Sequence, residues 1–292
     1  MRIFLYAALA LSFAASTGYT AEIKIGAWNL EHLNDSDMEG CKPRKQNDYA
    51  LIRAHIEASG VDVVAIQEVE NRAAARRVFP EDEWHLEISS RPDIGDIREC
   101  WGRPGQYLKH LATGFAIRRG LDYSRNRDLD GLALGNGFAR WGTDITLGAG
   151  ANIRMLSVHL RSGCWGAKED AEERREEACG EIRGQIDVLA SWIEDLARKG
   201  QPFVILGDFN RRFTIPGDWA WMRLSSTAAG ELQLATQGLN ARCDPRFRHF
   251  IDHLVADSRA WKQIVPGSFE EVPNEYDHSD HCLIALKMTI PD

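Results

Sequence analysis

Phe203-Val204-Ile205-Leu206-Gly207-Asp208-Phe209-Asn210 joins a short apolar run to a polar tetrapeptide. The run has the length and β-branched, aromatic content of a buried strand. A plain turn would not need an Asp and an Asn flanking an aromatic. A carboxylate at the end of a buried strand costs several kcal/mol unless it is paired, hydrogen-bonded or bound to a metal. The same pattern recurs outward along the chain. Ile23–Trp28 leads into Asn29-Leu30-Glu31, Val61–Ile66 into Gln67-Glu68, and Ile153–Val158 into His159. Phe250-Ile251 is broken by Asp252-His253 before Leu254-Val255, and Ser279-Asp280-His281 opens the final apolar run, Cys282–Met288. So many terminations in Asn, Glu, His or Asp imply convergence on one polar site.

Gly114–Ile117 and Thr143–Leu147 complete the candidate strands. Asp48–Ser59 reads as a helix with Leu51, Ile52, His55 and Ile56 on one face, and Glu172–Arg198 as a longer one with Ile182, Ile186, Leu189, Ile193 and Leu196 at helical spacing. Strict βαβ alternation is lacking, which points to an α/β sandwich with mixed or antiparallel sheets. No repeat, low-complexity stretch or Pro/Ser-rich linker marks a boundary, so residues 21–292 are expected to form one domain.

The composition of the 292 residues, 44% hydrophobic and 27% charged, excludes collagen, coiled coil and extended disorder. The formal net charge of -8 argues against a protein that binds by blanketing nucleic-acid phosphates, but not against an enzyme that grips a few phosphates locally. Met1-Arg2 followed by the apolar run Ile3–Ala15 and small residues has the layout of a secretory signal of about 20 residues. No other run approaches the roughly 18 apolar residues of a spanning helix, so a secreted or periplasmic product without integral membrane association is expected. Export favours disulfides among the six cysteines. Cys164 and Cys179 flank a charged segment and form the obvious local pair; Cys41–Cys100 and Cys243–Cys282 are the expected remainder, among many formal connectivities.

Singly, the motifs have ordinary explanations: an Asx-turn at Asn29, a helix start at Glu68, a core histidine at His159. His278-Ser279-Asp280-His281-Cys282 is too crowded for a zinc cluster and has no matching pair elsewhere. In order, however, Trp28-Asn29-Leu30-Glu31, Gln67-Glu68-Val69, Ser157-Val158-His159-Leu160, Gly207-Asp208-Phe209-Asn210, Ile251-Asp252-His253 and Ser279-Asp280-His281-Cys282 resemble the endonuclease/exonuclease/phosphatase superfamily. That superfamily includes deoxyribonuclease I, exonuclease III-type repair nucleases, neutral sphingomyelinases and inositol polyphosphate 5-phosphatases. The resemblance implies a four-layered α/β sandwich, two central mixed β-sheets flanked by helices, and divalent-metal-dependent hydrolysis of phosphate esters.

It also implies roles. Glu68 is the expected ligand for one or two Mg²⁺ or Mn²⁺ ions, which favour carboxylate oxygen. Asn29 would add an amide oxygen or hold that carboxylate, and Glu31 would assist if the strand continues, because a two-residue spacing keeps both side chains on one side. Asp208 would orient or deprotonate the attacking water, and Asn210 would hold a phosphoryl oxygen. His281 would lie beside the scissile phosphate with Asp252 setting its tautomer, and Asp280 is a second metal or base ligand. His159 would contact a non-bridging oxygen or protonate the leaving group. Arg140 takes the place of a phosphate-contacting arginine, with Arg118-Arg119 as a weaker choice. The tyrosine of many family nucleases has no clear counterpart; Tyr107 and His110 are the nearest residues. Trp101 and Trp165 lie in polar loops and could flank a groove, whereas most tryptophans should be core.

The expected activity is that of an exported nuclease acting on DNA or RNA. A sphingomyelinase-like lipid phosphodiesterase, a small-molecule phosphatase and a catalytically silent binding module are the alternatives. The segments 91–106 and 124–136 read as polar loops, not as an apolar membrane-docking tip, and no basic cluster suits a multiply phosphorylated ring.

Overall fold

Both faces of the central strands are apolar, so each must be covered on two sides. The computed structural model describes residues 20–95, 97–148, 152–166, 176–227, 231–274 and 277–291. The first part of the chain holds β1 (Thr20–Leu33), α1 (Gln46–Ser59), β2 (Val63–Val69), α2 (Arg72–Arg76), β3 (Trp84–Ile88), β4 (Arg98–Cys100) and β5 (Arg103–Leu108). Then come β6 (Ala112–Arg118), β7 (Tyr123–Arg125), β8 (Thr143–Leu147), β9 (Ile153–His159) and α3 (Glu176–Lys199). The last part holds β10 (Phe203–Asp208), α4 (Trp219–Ser225), β11 (Gln233–Leu234), β12 (Asp252–Ala256), α5 (Ser258–Trp261), β13 (Glu270–Val272) and β14 (Leu283–Pro291). The expected signal segment lies almost wholly outside the described residues, as do Glu172 to Arg175 of the expected long helix.

Two six-stranded sheets result, ordered β13-β14-β1-β2-β6-β3 and β11-β12-β10-β9-β8-β7. Ile25, Ala27, Val63, Ala65 and Phe115 of the first meet Ile145, Met155, Val204 and Leu206 of the second in the central core. The opposite face of the first sheet, with Trp28, Val64 and Ile66, packs on Tyr49, Ile52 and Ile56 of α1. The opposite face of the second, with Val158, Phe203 and Ile205, packs on Ile182, Ile186, Leu189 and Ile193 of α3. This is the four-layered α/β sandwich, helix on sheet on sheet on helix. The expected strands are all present, with ends shifted: β2 runs on through Gln67 and Glu68, and β12 begins at Asp252 instead of Phe250. The additional strands β3, β4, β5, β7, β11 and β13 are short or partly exposed, which weakens their apolar signal.

Connectivity positions the polar ends. β1 and β2 are parallel, as are β9 and β10, so Asn29, Glu68, His159 and Asp208 leave their strands in the same direction within each sheet. β12 and β14 run antiparallel to β10 and β1, with Asp208 opposite Asp252 and Ala27 opposite Ile284. The antiparallel strands therefore begin where the parallel ones finish. Between the sheets, the Gln67 side-chain amide donates to Ser157 Oγ at 3.1 Å, and both groups are fully buried. Gly207 makes this approach possible: with φ at +132°, a Cβ there would lie 2.9 Å from Gln67 Nε2 of the facing sheet, and 2.2 Å from the Val158 carbonyl oxygen of its own.

The cysteines pair as expected, Cys41–Cys100, Cys164–Cys179 and Cys243–Cys282, with Cα separations of 5.4, 5.0 and 5.6 Å. Among the described residues no helix is long and apolar enough to cross a membrane.

Candidate active site

At the shared edge of the two sheets Asn29 closes an Asx-turn, its Oδ1 accepting from the Glu31 backbone N–H at 3.0 Å. Its Nδ2 points the other way and donates to Glu68 Oε1 at 3.3 Å and to Asp208 Oδ2 at 3.2 Å. One amide thus joins carboxylates from opposite sheets, so Asn29 holds them with its nitrogen and does not present an oxygen. His159 Nε2 lies 3.4 Å from Asp208 Oδ2 and 3.7 Å from Glu68 Oε1. Arg140 donates to the same nitrogen at 3.4 Å, and an accepting Nε2 leaves the imidazole proton on Nδ1.

His281 Nδ1 is 2.7 Å from Asp252 Oδ2, and its Nε2 is 3.9 Å from Asp208 Oδ2. Asn210 sits at φ +51° and returns to its neighbour: its backbone N–H donates to Asp208 Oδ1 at 2.8 Å, and its Nδ2 to Asp208 Oδ2 and the Leu160 carbonyl, each at 3.1 Å. Residues spread over more than 250 positions are thereby in one cluster. Asp280 stands at its margin, with a side chain 68% exposed and Oδ1 3.8 Å from His281 Nε2.

The environment gives these groups distinct charges. Burial opposes ionisation of Glu68, but His32, His159, Arg140 and His281 outweigh it and hold the pKa at about 2. Burial dominates at Asp208 and, with Asp252 adding to it against His281, pushes its carboxyl up to about 7. His159 is held neutral by burial and by Arg140. His281 is the reverse: burial disfavours its charge, yet Asp252, Asp208 and Asp280 carry its pKa well above the usual value. Environments that separate like groups in this way are a signature of acid–base sites.

Glu31 departs from expectation. β1 does not continue regularly past Asn29; its register shifts between Asn29 and Leu33, and Glu31 and His32 take φ values of +43° and +55°. The Glu31 carboxylate turns to Lys42 Nζ, at 2.9 Å, and to the Asp280 backbone N–H, at 3.0 Å. His32 faces Glu68 in its place, with its backbone N–H and its Nδ1 each 3.1 Å from Glu68 Oε2. Sequence reading missed His32, because which of two adjacent side chains faces the site depends on an irregularity that no motif encodes. It also missed Arg44, whose buried guanidinium donates to the Leu30, His32 and His278 carbonyls and pins the irregular segment. Ser279 Oγ adds a bond to the Asn29 carbonyl at 2.6 Å.

Arg118 and Arg119 are not site residues. Arg118 follows Ile117, opposite Val63 at the far end of β2, and pairs with Glu57 and Glu83, while Arg119 donates to the Glu81 carbonyl. Tyr107 and His110 hydrogen-bond none of the cluster. A cavity of about 420 Å³ opens beside Asp252, Asp280 and His281, walled by Trp165, Arg212, Phe247 and His249 among others. Trp165 thus flanks the cleft as expected. Trp101 is not among the cavity walls; it is 99% exposed at the turn between β4 and β5, so residues 98–108 form a hairpin with an aromatic tip, where segment 91–106 was expected to be a polar loop.

Comparison with known proteins agrees with this architecture. No curated protein matches the chain by sequence. Truncated TDP2 from Caenorhabditis elegans superposes with a TM-score of 0.61 at 14% identity, covering 92% of this chain and 98% of that one. The AP endonuclease LMAP from Leishmania major gives 0.57 at 16%, covering 92% and 88%. The human Nocturnin catalytic domain with a bound sulfate anion gives 0.57 at 13%, covering 94% and 97%. At such identities the likeness is one of fold. Residues 26–281 match the sequence model of the Endonuclease/Exonuclease/phosphatase family, and the chain belongs to that family.

Proposed function

We propose that this protein is an exported, divalent-metal-dependent phosphodiesterase of the nuclease type, acting on DNA or RNA. The observation that carries the reading is one buried cluster pairing a cationic His281 with the high-pKa carboxylate of Asp208, 3.9 Å apart. A hydrolase that moves protons near neutral pH works best with groups whose pKa values lie near its working range.

The residues fit a hard cation. Glu68 is ionised, the Asp208 carboxylate shares the Asn29 amide with it, and Asp252 Oδ1 is buried with no hydrogen-bond partner. Glu68 and Asp208, joined by the Asn29 amide, with an Asp252 oxygen within 4.8 Å of Asp208, would hold Mg²⁺ or Mn²⁺, which would neutralise phosphoryl oxygen charge. The side chains supply the rest. Asp208 is placed to accept a proton from water. His281, oriented by Asp252, presents a charged Nε2 beside the phosphoryl group or leaving oxygen. His159 is neutral with Arg140 behind it and suits contact with a non-bridging oxygen. The bonds from Asn210 to Asp208 favour a positioning role for its amide.

The neighbours named as an AP endonuclease and as holding sulfate are consistent with phosphate ester chemistry. Three disulfides are compatible with export. One feature favours the lipid reading, the exposed Trp101; however, Arg98, Glu99 and Arg103 surround it, and a membrane-inserting tip would be expected to carry more apolar surface. Purified protein incubated with plasmid DNA, RNA, sphingomyelin vesicles and inositol phosphates, with and without EDTA, tests the proposal. Nucleic acid cleavage abolished by EDTA is expected. Cleavage of sphingomyelin alone, or cleavage indifferent to EDTA, would overturn it.

A further inference from the structure

We infer that His32 is a nitrogen ligand of the divalent-ion site, giving it a mixed oxygen and imidazole donor set that favours Mn²⁺ over Mg²⁺. The inference rests on the metal-dependent reading above and extends it to a residue outside the expected ligand set.

The geometry begins with an orphan. His32 Nδ1 is buried and makes no hydrogen bond, although Glu68 Oε2 lies only 3.1 Å away. A histidine present merely to pair with Glu68 would aim its N–H at the carboxylate at that distance; this one does not. Two donor atoms bound side by side on an octahedral ion, each about 2.1 Å from it, stand about 3 Å apart with their lone pairs converging on the ion. The separation of His32 Nδ1 and Glu68 Oε2 suits that arrangement.

The backbone supports the same reading. His32 reaches Glu68 only because β1 breaks register after Asn29 and places Glu31 and His32 at positive φ, while Glu68 itself has φ +58°. Three consecutive or facing non-glycine residues in the left-handed region each cost of order 1–3 kcal/mol and persist only where the surroundings impose them. Arg44 does so, binding the His32 carbonyl from beneath, and the His32 N–H gives its own bond to Glu68 Oε2 at 3.1 Å. The segment is therefore fixed with the imidazole against the carboxylate. Mg²⁺ holds to oxygen and dehydrates reluctantly, whereas Mn²⁺, the most oxygen-loving of the first-row transition ions, accepts an imidazole nitrogen within an otherwise oxygen set.

Calorimetric titration of Mn²⁺ and Mg²⁺ into the apoprotein, with pulsed electron paramagnetic resonance of the Mn²⁺ complex, tests the inference. The wild type should bind Mn²⁺ more tightly than Mg²⁺ and show ¹⁴N coupling. His32→Ala should weaken Mn²⁺ more than about tenfold, affect Mg²⁺ less, and lose that coupling; His32→Gln, with an oxygen donor of similar reach, should narrow the Mn²⁺ preference. An ion-pairing histidine predicts the opposite sign: removing its charge would leave Mn²⁺ binding unchanged or tighter and the ¹⁴N signal intact, and either result overturns the inference. Glu68→Gln separates the two proposals. If it retains full Mn²⁺ affinity, the ion is not at Glu68 and the role of His32 falls while the metal-dependent reading stands or falls with the EDTA assay; if it abolishes binding while His32→Ala does not, only the role of His32 falls.

Discussion

His281 Nδ1 and Asp252 Oδ2 lie 2.7 Å apart, although His281 precedes β14 in one sheet and Asp252 opens β12 in the other. The pair spans the two halves of the sandwich, so its geometry reports whether the sheets are packed in register. Burial of the aspartate next to an imidazole fixes Nδ1 as the donor and leaves Nε2 for the reacting group.

Replacing His281 by Ala should lower kcat about 10²–10⁴-fold, the usual contribution of a positioned acid or base. Asp252→Asn should leave substrate binding nearly intact and shift the basic limb of the pH–rate profile to lower pH, because a charge that raises the His281 pKa is gone. An unchanged profile in steady-state assays would show that the pair does not govern the proton.

Asp208 trades stability for chemistry. Its folded pKa of about 7 exceeds the ordinary 3.8, so the folded state resists the ionisation that the unfolded state undergoes freely. The cost is absent below about pH 4, grows through the interval to pH 7, and is complete above it. In EDTA at pH 8, Asp208→Asn should therefore melt above the wild type while losing activity by orders of magnitude. Differential scanning calorimetry with parallel rate measurements reads both.

His253 is a structural histidine with a pH signature of its own. Its Nε2 is 2.8 Å from the Arg211 carbonyl, which can only accept, so Nε2 carries the proton and Nδ1 accepts from Thr236 Oγ1 at 2.7 Å. Burial depresses its pKa to about 4. The unfolded chain then binds a proton that the folded one refuses between about pH 6.5 and 4, and stability falls by about 3 kcal/mol as pH drops through that window. Urea titrations at pH 7 and pH 4.5 should show this, and His253→Gln should reduce the difference.

Gly207→Ala should be severely destabilising, by more than about 3 kcal/mol or to the point of insolubility. The new Cβ would meet the Val158 carbonyl at 2.2 Å in a residue with φ of +132°. Gly180→Ala on α3, where a Cβ meets nothing within 4 Å, is the control and should be neutral or stabilising in thermal melts.

Much of the fold was legible because apolar strands and their polar ends are local patterns. Asp208, Glu68, His159, Asp252 and His281 were found as residues too costly to leave at the end of a buried strand without a reason. Arg140 was suggested by the family resemblance alone and stands 3.4 Å from His159 Nε2, and the three disulfides pair as expected. What escaped had a common cause. The exchange of Glu31 for His32 turns on a bulge, the support from Arg44 turns on three carbonyls made available by that bulge, and the exposure of Trp101 turns on a hairpin formed from weakly apolar strands.

The chain alone determined the eight long apolar strands, the two long helices and the polar groups that stand at strand ends, because hydrophobic periodicity and the cost of burying charge act over a few residues. Tertiary structure decided that these ends meet, that His159 is neutral while His281 is charged, and that Asn29 bridges two carboxylates. Those properties depend on burial and on neighbours drawn from opposite sheets, and distances between residues 29, 68, 208 and 281 exist only after the layers have packed.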